Sequence, residues 1–177
     1  MARIVLVTST ILAVLASSAL PAAAAEIHEV SADFSTAPQG LFSTDFFKQN
    51  GLSFTQGDFV GFIQGRPALI GPVAGRFTPW SSRVSVELAP AEQGTAEYTL
   101  TAIGVSGQVV AAKSTIVTQD EVEPLTGPTG YFTLDLGNVA GDIKYFTLEN
   151  RFIRSSFPQI TRIEFGVAKV TFTTHRS

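Results

Sequence analysis

Apolar residues recur at every second position through most of the chain beyond residue 25, and polar residues fill the positions between them. Val84, Val86 and Leu88 show this alternation clearly, because one polar residue separates each from the next. A period of two predicts β-strands that bury one face, which is typical of antiparallel sheets. We expect about nine strands bounded by turn residues. They cover residues 30–34, 52–55, 58–63, 84–88, 98–102, 108–117, 132–136, 143–148 and 163–172.

Turn chemistry and changes of phase add detail to this pattern. Gly107 lies in residues 105–108, where its tolerance of positive φ predicts a hairpin turn. In the last predicted strand the apolar phase changes between Phe165 and Val170, which predicts a bulge near Gly166. The first and last strands are expected to pair antiparallel, as they commonly do in β-sandwiches.

Two stretches lack the alternation. Residues 35–50 mix polar and small residues with a few apolar ones, and we expect a short helical turn there, with an irregular crossing loop as the alternative. Gly51 is a candidate C-cap. Residues 120–130 are rich in proline, glycine and acidic residues, which predicts a long solvated loop.

The number and spacing of the predicted strands indicate an all-β fold, either a two-sheet sandwich or a barrel. The sequence contains no internal repeat and no low-complexity linker. Residues 26–177 are therefore expected to form a single β-sandwich domain.

Two apolar stretches, residues 102–110 (AIGVSGQVV) and 163–172 (IEFGVAKVTF), carry a resemblance to a known family. They resemble a strand-turn-strand unit and the closing strand of small exported bacterial proteins of the PEP-CTERM-associated type, which have a galactose-binding-like domain. The resemblance implies a two-sheet antiparallel jelly-roll sandwich and carbohydrate as the ligand class. The chain departs from the family at Gly104, where an acidic residue is common, and at Ala168 and Lys169, which replace an acidic pair. Its polar ending predicts none of the sorting tail that many members carry.

The first 25 residues have the features of a secretory signal. Arg3 provides the positive start, residues 4–15 are almost entirely apolar, and Pro21 precedes four alanines that offer cleavage sites. This apolar segment is shorter than the roughly 20 residues that span a bilayer, so we expect cleavage before Glu26 rather than anchoring. The mature protein is expected to be secreted or periplasmic and to have no membrane span.

Composition excludes several functional classes. The chain has no cysteine, so we expect packing rather than disulfides to hold the exported domain together, and its 14 phenylalanines can supply that packing. The 12 basic and 15 acidic residues give a formal net charge of −3, and the basic residues are scattered singly. No cluster of them can neutralise a row of phosphates, which argues against nucleic-acid binding.

Residues suited to catalysis are scarce as well. Thiol chemistry is excluded, and only His28 and His175 are candidate bases for a nucleophile. The chain has no nucleophile elbow, no phosphate-binding glycine loop and no paired-histidine zinc motif. We therefore expect no enzymatic activity, and a hydrolase using dispersed carboxylates ranks below the non-catalytic alternatives.

The candidate ligand-binding residues centre on the only tryptophan. Trp80 lies between Arg76 and Arg83 in a stretch flanked by turn-forming residues. An indole on a loop can stack on a sugar ring while a guanidinium binds hydroxyls or carboxylates, and Tyr131 is a weaker aromatic candidate of the same kind. Core packing is the stronger expectation for Trp80, because tryptophan is highly buried on average.

Calcium is the one cofactor for which the sequence offers ligands. Asp33, together with Asp120, Glu121 and Glu123 of the predicted long loop, supplies carboxylate oxygens, although without the spacing of a dedicated calcium loop. Solvated loop charge is the alternative. If the first and last strands pair, His28 and His175 approach each other and form a second, weaker candidate metal site.

These observations favour an exported, non-catalytic binding module whose partner is a polysaccharide or another envelope component. The alternative is a structural or surface protein that interacts with other proteins and binds no small ligand.

Overall fold

The computed structural model describes residues 26–57, 59–119, 130–155, 159 and 163–176. The predicted signal segment and most of the predicted loop at 120–130 lie outside the described residues. The described part is all-β, with ten strands and two short 3-10 turns. The strands are β1 (Glu26–Asp33), β2 (Gly40–Leu41), β3 (Leu52–Gln56), β4 (Phe59–Ile63), β5 (Arg66–Ile70), β6 (Val73–Pro90), β7 (Gly94–Gly104), β8 (Val109–Gln119), β9 (Phe132–Arg154) and β10 (Phe165–Arg176).

Every strand pairing is antiparallel, and hydrogen bonds connect all ten strands into one sheet. The order across the sheet is β2-β4-β5-β10-β6-β9-β7-β8, with β1 added beside β10 and β3 beside β6. The central strands β6, β9 and β10 are long enough for each to pair with several other strands along its length. The antiparallel all-β prediction is confirmed.

The sheet bends back so that its two ends share one core. β7 and β10 are separated by β9 and β6, and in a flat sheet they would lie about 14 Å apart. Yet the ring centroids of Tyr98 on β7 and Phe165 on β10 are only 5.6 Å apart. Tyr98 also contacts Phe132, at the start of β9, with a centroid distance of 5.3 Å. Only a strongly curved sheet brings these rings together.

Phenylalanine dominates this core. Phe77, Phe146 and Phe172 come from the three central strands and pack ring on ring, with Phe77 at 5.5 Å from Phe146 and 4.9 Å from Phe172. A second group of rings packs beneath the 3-10 turns and adjoins the first, since one of its members contacts Phe146. That group consists of Phe34, Phe42, Phe47 and Phe54. Burial of each ring stabilises the fold by on the order of 1.5–3 kcal/mol.

Several local predictions are confirmed and others need correction. Residues 105–108 form the predicted hairpin turn, with Gly107 at φ 82°, and Gly51 caps a 3-10 turn at φ 92°. The bulge predicted near Gly166 is present in β10, between Val167 and Lys169.

The lengths of the central strands were wrong in the sequence-based prediction. The segments predicted at 132–136 and 143–148 belong to the single strand β9, and β6 begins 11 residues before the predicted 84–88 segment, at Val73. Register shifts interrupt both strands, so the apolar phase changes within each one and the pattern looks like separate elements. Residues 34–50 contain two 3-10 turns, Phe34–Thr36 and Lys48–Asn50, where a short helical turn was expected within residues 35–50. No helix in the described part is long and apolar enough to cross a membrane.

A close approach at Gly75 gives a test of this packing. A Cβ at Gly75 would overlap the ring of Phe146 and lie 3.0 Å from Cδ1 of Leu52, both in the core. We expect Gly75→Ala to lower the free energy of unfolding by about 1–3 kcal/mol, measured by chemical denaturation. Gly61→Ala is the matched control, because its Cβ would lie 3.2 Å from a ring atom of the half-exposed Phe59, which can move. Equal losses in the two variants would contradict the described core.

Candidate functional site

The most irregular part of the sheet is a protrusion of β6. β6 advances from Arg76 to Ser81 while its partner β9 advances only from Tyr145 to Ile143, so the extra β6 residues leave the ladder. Phe77 points into the core, and the cis-linked Thr78–Pro79 pair bulges outward. Proline suits this position because it has no N–H to donate to a neighbouring strand.

Hydroxyl groups anchor the return of the chain after this protrusion. The backbone N–H of Thr173 on β10 donates to Oγ of Ser81 at 3.0 Å, and the N–H of Ser82 donates to Oγ1 of Thr173 at 3.0 Å. Ser81 and Thr173 are both buried. The protrusion is therefore held at its base, which allows it to shape a site.

A pocket of about 190 Å³ lies beside the protrusion, between β1, the second 3-10 turn and the end of β10. Its walls combine side-chain amides, hydroxyls and small apolar surfaces. They are Val30, Gln49, Asn50, Gly51, Thr78, Pro79 and Thr174. None of these side chains carries a charge. The lining therefore suits an uncharged ligand with several hydroxyl or amide groups.

Gly51 sets how closely the second 3-10 turn approaches β6 at the edge of the pocket. Its carbonyl accepts a 2.8 Å hydrogen bond from the N–H of Thr78, and it adopts φ 92°, in the left-handed region. A Cβ at this position would lie 2.8 Å from the carbonyl oxygen of Thr78. Glycine is therefore required here for both conformation and space.

Trp80 directly follows the pocket-lining Pro79 in the chain. Its side chain is 45% exposed, so the expectation that it packs in the core is wrong. It lies within β6 rather than on a loop, and it is exposed because the extra residues of the protrusion break the inward-outward alternation. The indole is thus exposed, and Trp80 is not among the residues that line the pocket.

The two arginines of the predicted site have different surroundings. Arg76 is exposed and is the register partner of Tyr145 on β9. Arg83 binds two carboxylates of its own chain. Its Nη2 lies 2.7 Å from Oδ2 of Asp135, and its Nη1 lies 3.0 Å from Oε2 of Glu29. It links β1, β6 and β9, and these contacts occupy its guanidinium. Arg83 thus forms ion pairs with Asp135 and Glu29 that connect the three strands, and we call this group the Arg83 clasp.

Tyr131 lies in another part of the molecule. Its neighbour Phe132 pairs with Leu88, eight residues beyond Trp80 along β6, a separation of up to about 26 Å. The hydroxyl of Tyr131 donates to the carbonyl of Ile63 at 2.7 Å, and the Arg66 guanidinium stacks on its ring at 4.4 Å. Burial raises the pKa of Tyr131 to about 12. The structure does not bring it to the other three predicted residues.

The predicted calcium ligands are only partly covered by the structure. Asp33 caps the first 3-10 turn, and its Oδ1 accepts a 2.8 Å hydrogen bond from the N–H of Ser35. Partial burial raises the pKa of Asp33, but the hydrogen bonds from Ser35 and the charge of Lys169 outweigh it, so the pKa is lowered. Asp120, Glu121 and Glu123 lie outside the described residues. The described part holds no group of three or more histidine or acidic side chains placed for a metal ion.

The first and last strands pair as predicted, in a register that offsets His28 and His175 by one position. Glu26 pairs with Arg176, Ile27 with His175, and His28 with Thr174. The two histidines are therefore not opposite each other.

Sequence reasoning missed the residues that shape the pocket. Gln49 and Asn50 lie in a turn, Thr174 lies near the end of the last strand, and nothing in their local sequence links them. The pairing of the first and last strands was predicted, and it is the one signal that could have placed Val30 beside Thr174. The contact of the second 3-10 turn with β6 depends on tertiary packing and leaves no pattern in the amino-acid sequence.

Comparisons with family models and with curated proteins find no match to this sequence. Among solved structures, the chain is similar to the VP2 subviral particle protein of infectious bursal disease virus, at 16% identity and a TM-score of 0.40, over 84% of this chain and 33% of that one. The protein in the structure of the Gx strain of this virus is similar at 14% identity and a TM-score of 0.42, over 85% and 32%. The chain thus spans about a third of the length of these structures. Similarity of this degree adds nothing to the all-β description that the strand pairings give.

The Arg83 clasp predicts a dependence of stability on pH. The hydrogen bond from Arg83 lowers the pKa of Asp135, while the unfolded carboxyl titrates near 3.9. The stabilisation is therefore present above about pH 4 and is lost as the pH falls through the lowered folded-state value. We expect Asp135→Asn to reduce the free energy of unfolding at pH 7 by up to about 1 kcal/mol, because the pair is partly solvated. The difference from the wild type should shrink at about pH 3.

Urea denaturation at both pH values measures this effect. Asp45→Asn is the control, because it removes a carboxylate from a solvent-exposed pair with Lys48 and is expected to change stability little at either pH. A constant difference between the wild type and Asp135→Asn at both pH values would refute the assignment.

Proposed function

We propose that this chain is an exported, non-catalytic binding module whose ligand is an uncharged carbohydrate, bound in the pocket beside Trp80. The observation that carries the proposal is the lining of that pocket, in which amide and hydroxyl side chains adjoin proline, together with the exposed indole of the next residue in the chain, Trp80. Sugars present hydroxyls around their edge and C–H groups on their faces, so they match polar walls combined with an aromatic surface.

The size of the pocket limits how large a part of a ligand it can hold. A volume of about 190 Å³ is below the roughly 300 Å³ at which pockets for drug-sized ligands begin. The pocket therefore takes one sugar unit, and a longer chain extends from it over the surface. In this proposal Trp80, the residue after Pro79, contacts the unit that follows.

The proposal of a non-catalytic role follows from the same lining. Glycoside hydrolysis needs two carboxyl groups across the reacting bond, and none of the pocket's side chains is acidic. Amides and hydroxyls bind and orient a ligand without cleaving it. Export and the jelly-roll sandwich form are parts of this proposal, supported by the signal-like first 25 residues and by a curved antiparallel sheet around one core.

Two substitutions test the binding site. A glycan array first identifies a ligand of the purified protein, and isothermal titration with that ligand then compares variants. We expect Trp80→Ala and Asn50→Ala each to weaken binding roughly tenfold or more, because Asn50 supplies a hydrogen-bonding group of the pocket and Trp80 supplies the contact surface for the adjoining sugar unit. Phe59→Ala is the matched control, since Phe59 is an aromatic side chain of similar exposure, 48%, on another strand.

Retention of binding by Trp80→Ala and Asn50→Ala, together with an unchanged melting temperature, would place the ligand elsewhere.

A glycan array without any hit would instead favour the second candidate function, a protein that interacts with other proteins. That alternative rests on Leu41, which is 85% exposed and pairs with the half-exposed Phe59 at the β2 edge of the sheet. A mass that rises with protein concentration, and that falls back in Leu41→Ser, would support it.

A further inference from the structure

The edge strand β8 has the composition of a strand that pairs with others. Its sequence, VVAAKSTIVTQ, is eleven residues long, rich in β-branched residues, and free of proline and glycine. None of its residues is buried, and β7 is its only strand partner within the described part of the chain. An exposed edge of this kind carries unpaired backbone N–H and C=O groups and favours the addition of a strand from another molecule.

A second copy of this chain is the partner that fits this edge most directly. A two-fold axis perpendicular to the sheet places the core-facing side of one β8 level with the core-facing side of the other. Residues on one face of a strand are separated by an even number of positions. Residues that face each other across the axis therefore share a face only if the axis lies between the two copies of the same residue. An axis at Ser114 pairs Val109 with Gln119 and uses all eleven residues.

One side chain on β8 opposes such pairing. Lys113 is the only charged residue of the strand. It lies on the core-facing side, because it pairs with Leu100, which is fully buried, and shares its phase with Ala111 and Val117, which pack against the core. Its Nζ reaches across to donate to the carbonyl of Asp135 at 3.2 Å, while the side chain remains exposed.

Addition of a strand would convert this position from an edge to the interior of a sheet. The ammonium group would then lose water on its open side, and the second copy would bring it no counter-charge, so its desolvation is costly. In the register centred on Ser114, Lys113 faces Thr115 of the second copy, and the backbone positions of the two lysines lie diagonally about 7–8 Å apart. Like charges on side chains at that backbone spacing are not fully screened at physiological salt and repel each other.

We propose that Lys113 prevents β8 from pairing with β8 of a second copy, and so keeps this edge of the exported domain from self-association. The role depends on an inward-facing lysine in the middle of an edge strand that, in the described part of the chain, pairs with another strand on one side only. It is independent of the ligand pocket, which lies beside β1, β6 and β10.

Two variants separate this role from a general effect of lysine on solubility. Lys113→Thr removes the charge and introduces a residue suited to strands. The double variant Lys113→Thr with Thr115→Lys restores one lysine two positions along on the same face, opposite the buried Tyr98, and has the same composition and net charge as the wild type. Circular dichroism and melting curves confirm that each variant is folded.

Sedimentation equilibrium over a range of concentrations measures the association. We expect the wild type and the double variant to remain monomeric through this edge, and Lys113→Thr to associate at least roughly tenfold more tightly, giving folded dimers. Hydrogen exchange should show new protection of β8 amides in Lys113→Thr as its concentration rises. A folded Lys113→Thr variant that stays monomeric, or a wild type whose β8 amides become protected on self-association, would overturn the proposal.

Discussion

Phe77, Phe146 and Phe172 pack together beside the register shift between β6 and β9. Rings on adjacent strands reach such distances even in a flat sheet, whereas the contact between Tyr98 on β7 and Phe165 on β10 requires the sheet to curve around the core. The chain has no cysteine, so no covalent link holds the two ends of the sheet face to face. The packing of large rings in a curved sheet takes that role, and the buried core on both sides of Phe77 forms one continuous cluster.

The irregularities of β6 follow from the same requirement. A strand that keeps perfect alternation stays nearly straight, whereas extra residues on one strand increase bend and twist. β6 gains its extra residues at Thr78 and Pro79, and the hydroxyls of Ser81 and Thr173 replace the backbone pairings lost there. The pocket is a by-product of this bend. Its walls rest on a core packed with aromatic rings, which suits binding without large rearrangement.

Much of the fold could be predicted from alternation and turn residues, but the site could not. Antiparallel strands, the turn at Gly107 and the pairing of the first and last strands all leave local signals. The length of β9 left none, since its register shifts interrupt the period that identifies a strand. The exposure of Trp80 was missed for a similar reason, because the residue type favours burial and only the protrusion turns it outward. The inward position of Lys113 depends on its pairing with Leu100, which single-strand patterns do not show.

The pairing of β1 with β10 has a mechanical consequence. Glu26 and Arg176 are register partners at one end of an antiparallel ladder that runs on to Asp33 and Lys169. Opposing forces applied at these two residues load the ladder at that end alone and separate it one residue pair at a time, as in opening a zipper. Traction across the two ends would therefore peel β1 from the domain at low force, while the aromatic core under β6, β9 and β10 would stay folded. A tether at one end only would leave this ladder unloaded.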